Sequence, residues 1–431
     1  MRGARRLRVV VVDHTAELGG AEVALLRLLR ALDDEQTDVR VVLFRDGPLV
    51  AELRATGVPV QVVPLAADVT GVDRAAAGRA SWANVVRAVQ VVPFVVGLAR
   101  RWRRLRPDLV VTTSLKADLL GGVAARLAGR RLVWHLHDRV ADDYLPGPLV
   151  RLVRAAARWL PHLVVANSQA TAATVPKVRC VVVPPGIGGD WVLDEAAVQA
   201  RPAPGARADR GPVVGLVGRV SPTKGQLELV RAAAVVAEHH PGAVFRIVGS
   251  PMFGADDYAA QVRAEQAKAE RDGLLRPGQV EWTGFVADPR AQLDDLDVLV
   301  HASPVPEPFG QVIVEAMVRG VPVVATRAGG AVEIVAPGEG PGESPRESTA
   351  EQLGVLVAPG DPQALADGIR SVLDDPAAAQ ARAVAAYASA VRRFGAQDAA
   401  ARVSDAWHRV VTGQTSTIGT DRAAGWSRDA A

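Results

Sequence analysis

The stretch Val213-Val-Gly-Leu-Val-Gly218-Arg219-Val-Ser-Pro-Thr-Lys224-Gly225-Gln-Leu227 decides the fold of this chain. A short Val-rich run that ends at a glycine predicts a buried strand, and the residues after Gly225 predict a helix. Runs of the same two kinds alternate along the whole sequence, which is typical of parallel sheets covered by helices. We therefore expect an α/β protein.

Two series of predicted strands indicate two halves of the same architecture. The first series lies at 7–12, 39–44, 60–63, 109–113, 132–137, 163–167 and 181–183. The second lies at 213–217, 244–248, 280–283, 298–301, 321–325 and 354–357. A chain of 431 residues is long for a single core, so two domains are the natural division.

The segments between and after the two series set the predicted domain boundaries. We predict an N-terminal domain over 1–194, a Pro/Gly-rich linker over 195–211, and a C-terminal domain over 212–395. A helix over 396–412 is expected to pack back on the N-terminal domain, and 413–431 to be a mobile tail. Residues 337–351 predict an exposed loop, and the stretches 66–84 and 139–148 are further predicted loops.

Composition and charge exclude several classes of protein. The formal charge of +3 provides no protein-wide field for nucleic acid, so no nucleic-acid partner is expected. The single cysteine, Cys180, excludes an intramolecular disulfide and a Cys-built zinc site, and it indicates a reducing, cytoplasmic compartment. The apolar run at 9–12 is too short for an export signal, and 85–99 falls short of the ~20 apolar residues of a membrane-spanning helix.

One short stretch is strongly basic, Arg100-Arg-Trp-Arg-Arg-Leu-Arg106, at the end of a predicted helix. Two interpretations stay open for it. Positive charge is favourable at a helix C-terminus without any ligand. The same residues could also rest on anionic lipid, as a peripheral contact with the inner membrane face.

Two carboxylates eight residues apart mark a candidate ligand site. Glu307 stands in the turn-forming sequence Glu307-Pro-Phe-Gly310, and Glu315 in the apolar run that follows. We expect Pro308 and Gly310 to hold Glu307 in a loop and the next N–H groups to open a helix, whose N-terminus suits a phosphate or a sugar oxygen. Glu315 would lie about one turn inside that helix, within reach of hydroxyls of the same ligand.

Two cations bracket the loop after the 213–217 strand. Arg219 offers a planar fork and Lys224 a point charge, so the pair suits a diphosphate. The loop is not a Walker A sequence. It also lacks the dinucleotide fingerprint, because Gly215 and Gly218 have no third glycine at the required spacing, and this disfavours an NAD enzyme.

Taken together, the motifs resemble the retaining nucleotide-sugar glycosyltransferases of family 4, which have the GT-B fold. The resemblance covers nearly the whole chain. It rests on Gly19-Gly20-Ala21-Glu22, Arg106-Pro107-Asp108, His137-Asp138, Asn167-Ser168, Pro185-Gly186, Gly218-Arg219, Lys224-Gly225, Glu307-x7-Glu315, Gly329-Gly330-x-x-Glu333 and Pro359-Gly360-Asp361. It implies two Rossmann-like parallel-sheet domains that face each other across a cleft holding a UDP- or GDP-sugar.

The resemblance implies roles for the charged side chains of the second domain. Arg219 and Lys224 would bind the donor diphosphate. Glu315 would take the ribose hydroxyls, and Glu307 would contact the transferring sugar as a catalytic residue.

Backbone groups receive roles from the same resemblance. The amides around Phe309, Gly310 and Gln311 would cap the donor sugar and phosphate. Gly19 and Gly20 lack side chains, which would let the backbone of the first domain approach the donor diphosphate closely.

A histidine of the first domain is a further catalytic candidate. His137 ends a predicted strand and matches the family's histidine near the donor sugar. His135 lies two residues earlier and therefore faces the same side of the strand, so facing alone does not separate the two. The Asp138 that follows favours His137 as the motif residue.

The implied activity is transfer of a hexose-type sugar to an acceptor hydroxyl with retention at the anomeric carbon. The acceptor would be a sugar or a lipid-linked molecule, in the synthesis of a cell-envelope glycolipid, an exopolysaccharide or a small-molecule glycoside. Two alternatives from other classes stay open. One is a GT-B sugar-nucleotide epimerase or phosphorylase, and the other is a non-catalytic nucleotide-sugar binding protein.

No cofactor and no metal ion are expected. Asp295-Leu-Asp297 matches the Asp-x-Asp pattern of metal-dependent, differently folded glycosyltransferases, but Asp297 directly precedes a predicted strand. The diphosphate charge would instead be neutralised by Arg219, Lys224 and helix dipoles.

Overall fold

A computed structural model gives the fold and describes residues 5–65, 82–207, 210–252, 254–338 and 352–414. The chain divides into two compact units, residues 1–186 with 396–431, and residues 187–395. The predicted loop at 66–84 lies mostly outside the described residues, as do the exposed loop predicted at 337–351 and the tail predicted at 413–431.

The first unit is built on a parallel sheet of seven strands in the order β3-β2-β1-β4-β5-β6-β7. The strands are β1 (Leu7–Asp13), β2 (Thr37–Leu43), β3 (Val60–Val62), β4 (Leu109–Thr112), β5 (Arg131–Leu136), β6 (Leu163–Ala166) and β7 (Cys180–Val182). The helices between them are α1 (Gly20–Ala31), α2 (Pro48–Ala55), α3 (Trp82–Leu105), α4 (Leu115–Leu127), α5 (Gly147–Trp159) and α6 (Gln169–Ala172).

Both faces of this sheet are covered, which explains why its strands read as almost continuous valine runs. Val9 and Val11 point to the face covered by α1 and α2, while Val10 and Val12 point to the face covered by α3, α4 and α5. Successive side chains of a strand alternate between the two faces, so one strand contributes to two separate cores.

The second unit repeats the plan with six parallel strands in the order β10-β9-β8-β11-β12-β13. The strands are β8 (Val213–Val217), β9 (Val244–Val248), β10 (Val280–Gly284), β11 (Val298–His301), β12 (Val323–Thr326) and β13 (Val355–Val357). The helices are α7 (Glu195–Gln199), α8 (Gln226–His239), α9 (Asp256–Arg271), α10 (Arg290–Asp295), α11 (Gln311–Met317), α12 (Gly330–Val335), α13 (Pro362–Asp374) and α14 (Pro376–Arg393), with a 3₁₀ turn at Gly189–Trp191.

The last helix, α15 (Ala396–Thr412), belongs to the first unit. It packs on α1 and β5, and its Trp407 is completely buried among the residues of that core. The face of the first sheet that carries α1 and α2 is therefore completed by the end of the chain.

The stretch 195–211, predicted as a linker, is part of the second unit, and the chain passes from the first unit to the second at residue 186. It begins with α7, and its arginines are bonded to the segment just before β11. Arg207 pairs with Asp295 and Arg210 with Asp297, each at 2.9 Å. These ion pairs anchor a segment whose composition alone is typical of a linker.

The predicted α/β class with two parallel-sheet units is confirmed, and every predicted strand is present with its ends shifted by two residues at most. Within the described ranges, no helix combines the length and the apolar character needed to cross a membrane.

Candidate functional site

The candidate site of the second unit lies where its sheet reverses strand order. β8 is central, with β9 on one side and β11 on the other, and the loops after β8 and β11 leave from the same edge of the sheet. In open α/β sheets, ligands bind outside the carboxyl ends of the strands at such a switch point. The segments 218–225 and 302–310 therefore meet at a ligand-binding position.

Glycines allow these two segments to touch through their backbones. Gly225 caps α8 with φ of +80°, and a Cβ atom there would lie 2.0 Å from the carbonyl oxygen of Ala302. Gly218 has φ of +154°. A Cβ atom on the neighbouring Gly249 would lie 2.0 Å from the carbonyl oxygen of Gly218. No other residue fits such contacts, and the close approach brings Lys224 beside the segment that contains Glu307.

A buried glutamine holds the shape of the loop after β8. Gln226 donates from Nε2 to the carbonyl oxygen of Arg219 at 2.9 Å and accepts from the backbone N–H of Ser221 at 3.3 Å. Its side chain is completely buried. Sequence reasoning missed Gln226, although a glutamine directly after Lys224-Gly225 and at the start of a predicted helix was a signal. It positions the half-buried Arg219 through the backbone.

Glu307 is the centre of a network of polar side chains. The Lys224 ammonium contacts Oε1 of Glu307, and the Ser303 hydroxyl donates to the same oxygen at 3.0 Å. The His301 ring places Nε2 3.0 Å from Oε2. Only 9% of the Glu307 side chain is exposed, so both of its oxygens are held by protein groups.

The network fixes the charge of Glu307. Burial raises the pKa of the Glu307 carboxyl, but the positive charge of Lys224 and the contacts with His301 outweigh burial and hold the pKa below its ordinary value. Glu307 is therefore a carboxylate at neutral pH, able to accept hydrogen bonds and to stabilise positive charge.

His301 and Ser303 were missed by sequence reasoning. His301 is the last residue of β11 and is buried, and its Nδ1 lies 3.4 Å from the hydroxyl of Thr326 at the end of β12. A histidine directly after three valine or leucine residues was the available signal. Its partners come from two other segments, so the sequence near it did not reveal the role.

The motif Gly329-Gly330 is explained by packing against the Glu307 loop. Gly330 donates its N–H to the carbonyl oxygen of Glu307 at 3.0 Å, and Gly329 forms an isolated bridge with the same residue. A Cβ atom at Gly329 would lie 2.1 Å from the Glu307 carbonyl oxygen, and one at Gly330 would lie 2.5 Å from the Cα of Phe309. The two glycines thus let the start of α12 support the backbone that carries Glu307.

The remaining predicted residues of this unit are placed by α11. Gly310 precedes the helix with φ of +107°, and Gln311 is its first residue. Phe309 is buried and meets the ring of Phe394 edge to face at 5.6 Å between centroids. Glu315 is buried in the second turn of the helix. The loop and the helix that carry the two glutamates therefore have fixed positions within the second unit.

The Asp-x-Asp pattern belongs to a structural ion-pair cluster. Asp295 pairs with Arg207, Arg210 and Arg246, and Asp297 accepts from the backbone N–H of Val213 at 2.8 Å. In the part of the chain that the structure describes, no group of three or more His, Cys, Asp or Glu residues is arranged to hold a metal ion. The two aspartates fix the entry of β8 into the sheet.

The predicted residues of the first unit lie at the carboxyl ends of β1 and β5. Gly19 caps α1, and its N–H donates to the carboxylate of Glu22 at 3.0 Å. His137 follows β5 and is half-buried. Burial lowers the pKa of His137, while the negative charges of Asp138 and Asp13 oppose the shift.

His135 and His137 differ in surroundings although they are two residues apart. His135 is buried, and its Nε2 accepts a hydrogen bond from the indole N–H of Trp407 at 3.2 Å. Burial, with the charge of His137 as a smaller cause, lowers the pKa of His135 to about 3. His135 is thus a neutral core residue that binds α15, and this leaves His137 as the candidate for chemistry.

A cluster of buried carboxyl groups lies beside these residues and was also missed. Asp13 is completely buried and accepts from the hydroxyls of Thr113 at 2.6 Å and Ser114 at 3.0 Å. Burial, followed by the charge of Asp13, raises the pKa of Glu22 to about 7. Burial also raises the pKa of Asp118 well above its usual range. The first unit therefore holds buried carboxyl groups whose pKa values lie above their ordinary range.

Comparison with known families places both units in the same class of enzymes. The model described as "Glycosyltransferase Family 4" matches residues 18–188, and the model described as "Glycosyl transferases group 1" matches residues 199–390. The two matches together cover every strand of the two sheets except β1.

Two curated relatives and a solved structure are similar over most of the chain. The 2-deoxystreptamine glucosyltransferase of Streptomyces kanamyceticus is 30% identical over 334 residues, which cover 73% of this chain and 80% of that protein. The D-inositol 3-phosphate glycosyltransferase of Thermobispora bispora is 26% identical over 436 residues, which cover 91% and 90%. Anabaena Alr3699/HepE in complex with UDP-glucose superposes with a TM-score of 0.75 at 28% identity, covering 94% and 100%.

Proposed function

This chain belongs to the family 4 glycosyltransferases with the GT-B fold, and on that premise we propose that it moves a hexose-type sugar from a nucleotide-diphosphate sugar to an acceptor hydroxyl with retention at the anomeric carbon. The observation that carries the proposal is the buried contact of Lys224 with Glu307, supported by His301 and Ser303, at the switch point of the second sheet.

Arg219 and Lys224 would bind the donor diphosphate. Both stand on the loop after β8, whose backbone is held by Gln226 and by the glycine contacts. An ammonium group carries three donor hydrogens, so Lys224 can hold Glu307 and a phosphate oxygen at the same time. We propose that these cations supply the positive charge that the leaving diphosphate needs, without a divalent ion.

Glu307 would act on the transferring sugar. As a carboxylate it accepts hydrogen bonds from sugar hydroxyls and stabilises the positive charge that develops at the anomeric carbon. Its partners hold the carboxylate in one orientation before the sugar binds, and such preorganisation is the main source of electrostatic catalysis. The acceptor would attack from the face that the diphosphate leaves, which gives retention.

The comparisons favour particular substrates to test first. The Anabaena protein was solved with UDP-glucose, so UDP-glucose is the first donor, and Glu315 is the proposed partner of its ribose hydroxyls. The two relatives are named for 2-deoxystreptamine and D-inositol 3-phosphate, which are small polyhydroxylated rings. This favours a small-molecule glycoside among the possible products. Roles for His137, Gly19 and Gly20 of the first unit stay predictions.

A binding and turnover experiment with the full chain tests this function. UDP-glucose at about 100 times its dissociation constant should stabilise the native state by about 2.7 kcal/mol and raise Tm by several degrees. Lys224→Met should abolish the shift. Lys268→Met on α9 is the matched control, because it removes the same charge from an exposed position, where Lys268 pairs with Asp272 in the next turn.

Product analysis separates the proposed reaction from the alternatives. Transfer or slow release of glucose from UDP-glucose supports a glycosyltransferase. Turnover that continues in the presence of EDTA supports a metal-independent reaction. An epimerised nucleotide sugar without acceptor would indicate an epimerase, and binding without any turnover would indicate a binding protein. If neither UDP- nor GDP-sugars raise Tm or turn over, the proposed function is wrong.

A further inference from the structure

We propose that the first unit binds the surface of anionic lipid bilayers through the outer surface of α3, α4 and α5. This surface, called the basic face below, is defined by Arg103, Arg126, Arg158, Leu127, Leu152 and Trp159. Such binding is independent of sugar transfer, because the basic face lies on helices that cover one face of the sheet and not at the carboxyl ends of the strands.

The charge of these helices is strongly one-sided. Five basic residues lie on α3, two on α4 and three on α5, while the three helices contain a single acidic residue, Asp118. Asp118 is completely buried, so it adds no charge at the outer surface of these helices. No carboxylate on these helices therefore neutralises the arginines.

The helices on the opposite face of the same sheet provide an internal reference. Together α1, α2 and α15 carry five basic and four acidic residues, and the whole chain has 50 basic and 47 acidic residues. The excess on α3, α4 and α5 is thus a local property of one helical layer and does not follow from the composition of the chain.

Contacts between the helices make the basic face continuous. A guanidinium N–H of Arg103 on α3 donates to the carbonyl oxygen of Leu127 at the end of α4, at 2.5 Å. The guanidinium of Arg126 on α4 lies 3.0 Å from Nε2 of His162, three residues beyond Trp159 at the end of α5. The carboxyl-terminal ends of α3, α4 and α5 therefore form one surface.

Apolar side chains stand exposed among these arginines. Trp159 is 76% exposed, Leu152 55% and Leu127 51%. Leu152 and Trp159 lie seven residues apart on α5 and so share a stripe, which Arg151 and Arg158 flank. Exposed indole and leucine side chains beside basic residues are what an amphipathic helix inserts at the boundary of headgroups and acyl chains.

The apolar side chains distinguish a bilayer from a soluble polyanion. Nucleic acids and acidic polysaccharides bind through their charges, and an aliphatic stripe gains nothing from them. At a bilayer the same stripe leaves water, while the arginine stems extend along the acyl boundary and place their charges among the headgroups. The combination on α5 therefore favours a lipid surface.

The structure also changes which aromatic residue would face the lipid. The basic run 100–106 contains Trp102, but this side chain is completely buried in the core beneath α3. Arg100, Arg103 and Arg104 of the run point outward. The aromatic anchor is thus Trp159 on α5, more than fifty residues further along the chain.

Flotation of the full chain with lipid vesicles tests the proposal. Vesicles of phosphatidylcholine with about one third phosphatidylglycerol should float the protein, pure phosphatidylcholine should not, and raising the salt from about 0.1 M to about 0.5 M should release it. Arg151→Gln with Arg158→Gln should weaken binding about 30-fold, since each basic residue near an anionic surface contributes roughly a factor of five. Trp159→Ser should weaken it about tenfold.

The matched control removes two exposed arginines elsewhere. Arg54 lies on α2 and Arg392 on α14. The variant with Arg54→Gln and Arg392→Gln has the same net charge as the variant with Arg151→Gln and Arg158→Gln, and it should float like the wild type. An equal loss in the control would overturn the basic face as the binding surface. Binding that Trp159→Ser leaves unchanged, together with equal binding to heparin, would indicate a polyanion partner and overturn the bilayer. If the proposed function is correct, all of these variants should still transfer the sugar. Loss of sugar transfer with normal flotation would contradict the proposed function and leave the lipid-binding proposal intact.

Discussion

The loops after β1 and β8 occupy the same place in two sheets of like topology, yet acidic side chains lie at the first and basic side chains at the second. β1 lies between β2 and β4, and β8 lies between β9 and β11. The end of β1 leads to Asp13 and Glu22, whereas the end of β8 leads to Arg219 and Lys224. Topology therefore decides where a site forms, and the side chains at the switch point decide which charge it accepts.

Two glutamates show how the difference arises. Glu22 and Glu307 are almost equally buried, at 8% and 7% exposed. Burial and the charge of Asp13 raise the pKa of Glu22 to about 7. Burial acts on Glu307 in the same direction, but Lys224 and His301 reverse the shift. Burial alone does not decide the charge of a carboxyl group, because the sign of its neighbours can outweigh burial.

The largest expected effect comes from removing the negative charge of Glu307. Glu307→Gln keeps the shape of the side chain and removes its negative charge, so the transfer rate should fall by about 10²–10³-fold, as for other preorganised electrostatic groups. Initial rates at saturating UDP-glucose measure it. Glu52→Gln, an exposed glutamate on α2, is the control. A Glu307→Gln enzyme with the wild-type rate would contradict the role of the carboxylate.

The glycines that cap α1 and α8 give the next largest effect, on stability. Gly225 has φ of +80° and no space beside the Ala302 carbonyl, so Gly225→Ala should cost about 2–4 kcal/mol. Gly19 has φ of −107°, and an added Cβ would meet only the end of the Glu22 side chain, so Gly19→Ala should cost about 1 kcal/mol or less. Urea unfolding measures both, and equal midpoints would show that the two loops are not differently constrained.

The third expected effect is a pH dependence of the stability of the first unit. The folded pKa of Glu22, about 7, is raised above its ordinary value. The stability it contributes is therefore complete below about pH 4.5 and is lost as the pH rises to about 7, by roughly 3 kcal/mol at most. Glu22→Gln should remove this slope between pH 5 and pH 8 in urea unfolding. Glu52→Gln should keep it, and an unchanged slope in Glu22→Gln would assign the titration to another group.

Local pattern was sufficient to predict the fold. Each strand is a short valine-rich run between turn residues, and the alternation of such runs with helical segments predicts parallel sheets without knowledge of contacts. The paired glutamates and the Arg219 to Lys224 loop were likewise visible, because their residues lie close together in the sequence.

Residues whose partners are distant in sequence were not predicted. His301 and Ser303 join the network around Glu307 only when the chain has folded and Lys224, on the loop after β8, contacts Glu307. Gln226 holds that loop only when the loop folds over the Gln226 side chain. The segment 195–211 has the composition of a linker, but arginines within it bond to the residues before β11. Trp102, read among arginines in sequence, turns into the core because α3 packs on the sheet.

The sequence by itself determined the two parallel sheets, the family and the residues that bracket the proposed donor site, because these depend on patterns within a few residues. Only the tertiary structure decided the charge of Glu307 and the different surroundings of His135 and His137. It also placed the helices with an excess of basic residues on one face of the first sheet, and the helices with similar numbers of basic and acidic residues on the other face. Ionisation and surface charge depend on which groups meet in space, and long-range packing alone brings those groups together.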